Sequence, residues 1–298
     1  MKTLWAKTQT DTVSRFVNLK MADRVTRRSD RLLALRKNRQ MAVFANSYIG
    51  VLVNQFGYFE HEDLETLFDW LSPLHTTFRQ GVALDIGANI GNHAMWFSDH
   101  FSHVHAFEPN PRTYGLLAFN AAPLPGVTTH QMGLGDQKGE LTLSADVLHP
   151  EVSSLRLGTP GLADQIMVRV ETLDDLTLER KEDVCFIKID VEGFEEQVLR
   201  GGRATIASTQ PLIVMEQHGS EFSDGASPST RLLEEMGYKF AWEHRKPLSS
   251  NWLGRRLAEI QEMVAGRRCA YVTSARIPAV NYTMLVAVPP RFQELLGI

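Results

Sequence analysis

Hydrophobic positions fall in short unbroken runs, among them Val82–Ile86, His103–Phe107, Val127–Met132, Val184–Ile189 and Pro211–Met215. Runs of this length, apolar on both faces, predict buried parallel strands. Tyr238–Glu243 and Asn281–Val288 read as later strands that close as a hairpin-like pair, which predicts one antiparallel strand in a mostly parallel sheet. Leu64, Leu67, Phe68 and Leu71 recur at helical spacing until Ser72-Pro73 stops them. Pro111 starts a helix that runs to about Asn120, Gly201-Gly202 closes a helix over Phe194–Arg200, and Ser229 caps one that ends near Met236. Leu141–Leu143 and Ile166–Val170 alternate like the strands of an added hairpin, with a Pro, Ser and Gly-rich loop over 146–161 that is long enough to lie over a substrate. Ser47–Val51 and Phe56–Glu60 read as a small hairpin or cover. Leu248–Ala265 reads as a helical insertion, and Trp252, Leu253 and Leu257 on one of its faces suit a lid or a dimer contact.

The 298 residues, 43% of them hydrophobic, suffice for one large domain with an extension. No run approaches the roughly 18 apolar residues of a membrane span, and Met1–Lys7 lacks the apolar core of a secretory signal. A cytoplasmic protein is the expectation. Cys185 and Cys269 make neither a disulfide framework nor a metal spacing. Residues 1–40 hold eleven Lys and Arg against three Asp, a local charge of +8, which leaves −12 on the rest. That acidity argues against a nucleic-acid partner for the main domain. The basic segment Arg15–Arg39, with apolar residues among its charges, predicts a helical arm that packs on the domain or a second subunit, or makes peripheral contact with an anionic membrane.

Chemistry concentrates first at Leu84-Asp85-Ile86-Gly87-Ala88-Asn89-Ile90-Gly91-Asn92. A strand that ends in a carboxylate and passes through two glycines into a helix is a nucleotide-site turn. Gly87 permits the tight turn and close approach of a ligand, and Gly91 lets the next helix pack close to the strand. Twenty-one residues after Gly87 the next strand delivers Glu108, placed to accept both hydroxyls of a ribose. The third glycine of the dinucleotide fingerprint is absent. S-adenosylmethionine has no phosphate and carries an ammonium that Asp85 can hold, so it fits better than a nicotinamide dinucleotide. Asp136, in the Gly-rich turn after the third run, is placed for an adenine amino group.

A second concentration lies at Lys188-Ile189-Asp190-Val191-Glu192-Gly193 and Glu216-Gln217-His218. Two consecutive parallel strands bring Asp190, Glu192, Glu216 and His218 to the rim that holds Gly87 and Glu108, where open α/β sheets bind ligands. Lys188 alternates with apolar neighbours and suits a structural ion pair. His218 is the expected general base toward an alcohol, with Asp190 and Glu192 holding hydroxyls or orienting it. The donor set Asp190, Glu216 and His218 also suits Mg²⁺ or Mn²⁺.

At these residues the chain resembles the FkbM-type family of S-adenosylmethionine-dependent methyltransferases. The marks are Asp85–Gly91, Phe107-Glu108-Pro109 and Ile187–Glu195, followed by Val198–Gly202 and Pro211–Glu216. The resemblance implies a Rossmann-like α/β fold, a mostly parallel seven-stranded sheet with helices on both faces, and methyl transfer to a hydroxyl of a sugar, glycan or secondary metabolite. It implies that Gly87, Asn89 and Gly91 hold the methionine part of the cofactor and that Glu108 is the ribose acid. Asp85, Asn92 and Asp136 complete the expected cofactor set, and His218, Asp190, Glu192 and Glu216 the catalytic set. The expected organisation is a basic arm over 1–45, a cover over 46–80 and a methyltransferase domain over 81–298 with an insertion at about 247–278. The expected acceptor is a small molecule or carbohydrate, and a homo-oligomer is compatible with the apolar stripes. A nucleic-acid methyltransferase, an NAD-dependent oxidoreductase and a cofactor-binding scaffold are the alternatives.

Overall fold

The computed structural model describes residues 20, 32–37, 39–45, 47–146, 153–154, 163–245, 269–274 and 276–298. Its contacts divide the chain into two compact units, Met1–His61 and Glu62–Ile298. The expected helical insertion over 248–265 and most of the loop over 146–161 lie outside the described residues, as does most of the basic arm.

In the first unit, Leu32–Leu35 are helical, and helix α1 (Tyr48–Phe56) stands where a hairpin was expected. The physical reason is a cap. Ser47 Oγ accepts a hydrogen bond of 2.7 Å from the Gly50 amide, and Gly57 closes the helix by donating its N–H to Val53. Arg36 donates to the Gly57 carbonyl at 3.1 Å and ties the two segments together.

The second unit is built on one large sheet. Its strands are β1 (Val82–Ile86), β2 (His103–Phe107), β3 (Val127–His130), β8 (Val184–Ile189), β9 (Leu212–Gln217), β10 (Lys239–Arg245), β11 (Cys269–Thr273) and β12 (Tyr282–Val288). The spatial order is β11-β10-β12-β9-β8-β1-β2-β3. β3, β2, β1, β8 and β9 pair in parallel, and β12 runs antiparallel between β9 and β10. This is the Rossmann-like α/β sheet the sequence predicts, with one correction. β11 adds an eighth, antiparallel strand on the outer edge of β10, inside a stretch read as helical insertion. Its Tyr271 stacks on Trp70 at 4.3 Å and 9°, an attachment to a distant segment that local periodicity does not reveal.

Helices cover both faces. On one side, α6 (Glu195–Gly201), α7 (Arg203–Thr209) and α8 (Pro228–Glu234) bury Val198, Leu199, Ile206 and Leu233 against Leu84, Ile187 and Ile213. On the other, α2 (His61–Trp70), α3 (His75–Gln80), α4 (Asn92–Phe97), α5 (Pro111–Ala121) and the terminal α9 (Pro290–Leu296) pack on Ala83, Phe186 and Val214. Phe68 is the hub of this second layer, with ring centroids of Phe78, Phe97, Phe101 and Phe186 all within 6.2 Å. The cap of α8 is Ser227, not Ser229. Ser227 accepts from the Thr230 amide and Thr230 returns the bond, while Pro228 takes the first helical position.

The added hairpin is real and larger than expected. β5 (Gly139–Asp146) pairs antiparallel with β7 (Ala163–Glu171), and β4 (Gly133–Leu134) and β6 (Ser153–Ser154) flank them in a second sheet ordered β4-β7-β5-β6. No helix among the described residues is long and apolar enough to cross a membrane.

Candidate active site

Strand β1 ends in a turn whose shape depends on glycine. Gly87 sits at φ +79°, and a methyl group built there would collide with the Asp190 carbonyl. The turn is thus pressed against the end of β8 as well as exposed to any ligand. Gly91 sits at φ +89°, and a methyl group built there would crowd the Leu117 side chain of α5, so the glycine allows helix-to-helix packing rather than the helix-to-strand packing expected of it. Between them Asn89 also adopts a left-handed backbone at φ 52°, uncommon for a residue with a side chain. Its Oδ1 accepts from Ile90 N at 2.8 Å.

Glu108, at the end of β2, closes this turn. Its Oε2 accepts the Asn89 amide at 3.0 Å and its Oε1 the Asn110 amide at 2.8 Å. Burial pushes its carboxyl up to about 7, while the two amides and the Lys188 charge act in the opposite direction. Asn92 is buried at the first position of α4. Asp136 stands apart. It is exposed on the turn from β4 into β5, in the second sheet, with its backbone against Gly201.

Asp85 is fully buried. Neither of its carboxylate oxygens accepts a hydrogen bond, and its charge is met by Lys188 Nζ at 3.6 Å from Oδ1. The register of β1 on β8 places Asp85 opposite Lys188. Lys188 Nζ also lies 3.1 Å from Asp190 Oδ2 and donates to the Gly87 carbonyl at 3.4 Å. The lysine therefore has the structural pairing its sequence context suggests, and it joins the two clusters.

On the neighbouring rim, Asp190 and Glu216 share a proton. Burial raises both carboxyls, but Lys188 outweighs it at Asp190, which is held below the usual range, and Glu216 adds a hydrogen bond to it. Glu216, half-buried and facing the Asp190 charge, is pushed up to about 9 by desolvation and by that charge. At neutral pH Glu216 is therefore a hydrogen-bond donor and Asp190 an acceptor. Glu192, Glu216 and His218 bring one ligand atom each within 4.8 Å of one another. This is the convergent trio; Asp190 turns instead to Lys188.

Glu192 is held at φ 52°, a second left-handed side-chain-bearing residue on this rim. The turn is fixed by Glu195, whose Oε1 accepts from Val191 N at 3.3 Å and Gly193 N at 3.0 Å. Sequence reasoning assigned no role to Glu195; the signal available was an acid two residues past Asp-x-Glu-Gly at a helix start. Arg200 pairs with Glu196 at 2.6 Å.

Residues 85–240 match the model of the methyltransferase FkbM domain, just over half of the chain. The chain belongs to the FkbM methyltransferase domain family. Asp85, Glu108, Asp190 and Glu216 all fall within the matched span. Among curated relatives, the hexuronic acid methyltransferase AglP of Haloferax volcanii is 31% identical over 160 residues, 52% of this chain and 62% of that protein. The 2-O-methyltransferase NoeI of Sinorhizobium fredii is 27% identical over 170 residues, 51% of this chain and 70% of that protein. The chain thus spans less than two thirds of the first of these. A crystal structure of an FkbM methyltransferase from Methylobacillus flagellatus KT is 21% identical with a TM-score of 0.33, over 46% of this chain and 33% of that one.

The shared proton has a consequence for stability. Folded Glu216 keeps its proton up to about 9, whereas an unfolded glutamate releases it near 4.5. Its contribution is fully present below pH 4.5 and is lost as pH rises through about 9. Glu216→Gln retains a donor toward Asp190 without titrating. Urea unfolding across that window should show wild-type stability falling relative to the variant; parallel curves would refute the shared proton.

Proposed function

We propose that the chain is an S-adenosylmethionine-dependent O-methyltransferase that acts on a hydroxyl of a sugar or glycan. The observation that carries this reading is the buried, hydrogen-bond-free Asp85 carboxylate beside the turn that Glu108 closes. An acidic crevice of this kind suits a ligand whose charge is cationic, an ammonium and a sulfonium, and opposes a pyrophosphate. Family membership and the names of the two relatives, both methyltransferases and one directed at a hexuronic acid, point to the same chemistry.

The bound cofactor supplies an electrophilic methyl carbon. Around it, Asp85 holds the ammonium, the turn Gly87–Gly91 with Asn92 surrounds the methionine part, and Glu108 accepts the ribose hydroxyls through lone pairs its two amides leave available. Asp136, exposed on the turn from β4 into β5, is assigned to the adenine edge. An alcohol must lose a proton as it is methylated, and the group that takes it has to be unprotonated at neutral pH. Glu216 carries a proton there, so it serves as a donor that orients Asp190. His218, next along the chain but one, is the base, and Asp190 and Glu192 position the acceptor hydroxyls.

Calorimetric titration with S-adenosylhomocysteine tests the cofactor half. Micromolar binding is expected, weakened about 10- to 100-fold in Glu108→Ala, the scale of charged hydrogen bonds. In the wild type it should weaken as pH falls through about 7, where Glu108 takes up a proton. Binding of NAD⁺ instead, or pH-independent binding that survives the substitution, would refute the assignment. For the base, His218→Ala should lower turnover about 10²- to 10⁴-fold with cofactor affinity unchanged; full turnover in the variant would remove His218 from that role.

The convergence of Glu192, Glu216 and His218 favours a second version of the rim, in which the trio holds Mg²⁺ or Mn²⁺. The ion would lower the pKa of an acceptor hydroxyl bound to it. Titration of Mn²⁺ into the chelator-treated protein should then give saturable binding that Glu192→Gln abolishes. Heat-silent titration with full activity after chelation would reject the ion.

A further inference from the structure

His218 stands just past the end of β9, at the entry of a single 3₁₀ turn, Gly219–Glu221. One of its ring nitrogens lies within 4.8 Å of carboxylate oxygens of Glu192 and Glu216, yet among the described residues the imidazole takes no hydrogen bond of its own. Its direction is therefore set through the main chain, above all by the peptide that joins it to Gly219. Both polar groups of that peptide are engaged. The His218 carbonyl accepts the Glu221 amide at 3.0 Å, and the Gly219 amide donates to Asn281 Oδ1 at 2.8 Å. The first bond belongs to the turn itself, whereas the second comes from 62 residues further along the chain. Because a peptide is planar, a partner on each side fixes its rotation, and turning the plane would break both bonds.

Asn281 is brought there by the sheet. Tyr282, the first residue of β12, pairs antiparallel with Gln217, so the residue before Tyr282 arrives beside the residue after Gln217. The Tyr282 hydroxyl donates to the Pro278 carbonyl at 2.8 Å and pins the segment that enters the strand. A methyl group built at Gly219 would crowd the Ala279 carbonyl and the Val280 backbone at 3.1 Å, so the missing side chain lets this segment lie against the turn. Asn281 itself is exposed and lies outside the matched span 85–240. An exposed amide adds little to a core, and its bond to Gly219 is what it contributes here.

We infer that Asn281 is a positioning residue: by holding the Gly219 amide it fixes the peptide that aims His218 at the acceptor hydroxyl. This rests on the methyltransferase reading above and deepens it, because a base must meet its proton at hydrogen-bond distance and a misplacement of about 1 Å can cost about 10²-fold in rate. Asn281 acts only through His218 and touches none of the residues assigned to the cofactor.

The test uses the full chain, with Asn281→Ala to remove the acceptor oxygen and Asn281→Asp to keep one at the same reach. By NMR the Gly219 amide should exchange with solvent about tenfold faster in Asn281→Ala than in the wild type, the scale of one lost hydrogen bond. The His218 ring line, identified by its loss in His218→Gln and recorded at alkaline pH where the imidazole is neutral, should shift or broaden in the same variant. Asn281→Asp should return both signals toward the wild type, which a general loss of stability would not do. With methyl glycosides of neutral sugars and of uronic acids as acceptors, kcat should fall about tenfold in Asn281→Ala, while S-adenosylmethionine KM and S-adenosylhomocysteine affinity stay unchanged. An unmoved Gly219 exchange rate and His218 line in Asn281→Ala, no restoration by Asn281→Asp, or unchanged kcat would overturn the positioning role and leave the methyltransferase reading intact. Absence of S-adenosylhomocysteine binding, or of transfer to every glycoside, in the wild type would overturn the sugar methyltransferase reading, and the two NMR signals would then decide the tether by themselves.

Discussion

The ammonium of Lys188 holds the site together. It lies between the carboxylates of Asp85 and Asp190 and reaches the Gly87 carbonyl, so one cation ties the end of β1 to the end of β8 and to the turn between strand and helix. A buried charge is tolerated only when paired, because desolvation in a medium of low dielectric outweighs most other local terms. A buried carboxylate and a half-buried one against one buried ammonium leave a net negative charge. That excess sets the state of everything nearby. Glu216 is displaced upward by burial and by the Asp190 charge, and Glu108 by burial with a further push from Asp85. The crevice ends as a region of negative potential stabilised from within, a suitable receptor for a cationic cofactor.

The same constraint explains the backbone. Because the turn after β1 is pressed on the end of β8, residue 87 must lack a side chain, and Asn89 and Glu192 accept left-handed conformations on either side of the junction. Such conformations cost on the order of 1–2 kcal/mol each. They persist because Glu108 fixes one turn through the Asn89 amide and Glu195 fixes the other through the amides of Val191 and Gly193. Two buried acids thus serve as internal caps for turns that strand and helix alone would leave loose.

Much of this was legible in the sequence because buried parallel strands write themselves as apolar runs. Val82–Ile86, Val184–Ile189 and Leu212–Gln217 each carry a carboxylate at or near their end, and that pattern located the junction without any three-dimensional information. What stayed hidden depended on partners far along the chain. β11 is a strand because β10 offers an open edge and Trp70 a stacking face. Helix α1 is set by the Ser47 cap, a signal outweighed in the sequence by the β-like run that follows it. The choice of Ser227 over Ser229 turned on Pro228, which suits the first helical position better than an interior one. Asp190 and Glu192 looked equivalent as rim acids. Only the placement of Lys188 and the left-handed turn separates one as an ion-pair partner from the other as a neighbour of His218.

The strand order gives the two halves of the sheet different tasks. From β1 the chain winds outward through β2 and β3, and from β8 it winds the other way through β9, so the junction of β1 and β8 is the point where the order reverses and loops on the two sides part. Asp85, Gly87, Asn89, Gly91, Asn92 and Glu108 lie on the β1 and β2 side, whereas Glu216 and His218 extend from the β9 side. Inserting β12 antiparallel between β9 and β10 then carries Asn281 and Tyr282 back to that same end. A strand running in the common direction would arrive with its other end, and the bond from the Gly219 amide to Asn281 would not form. Reversal of one strand therefore ties the far edge of the sheet to the rim through the bond from the Gly219 amide to Asn281, without any change to the charged junction at its centre.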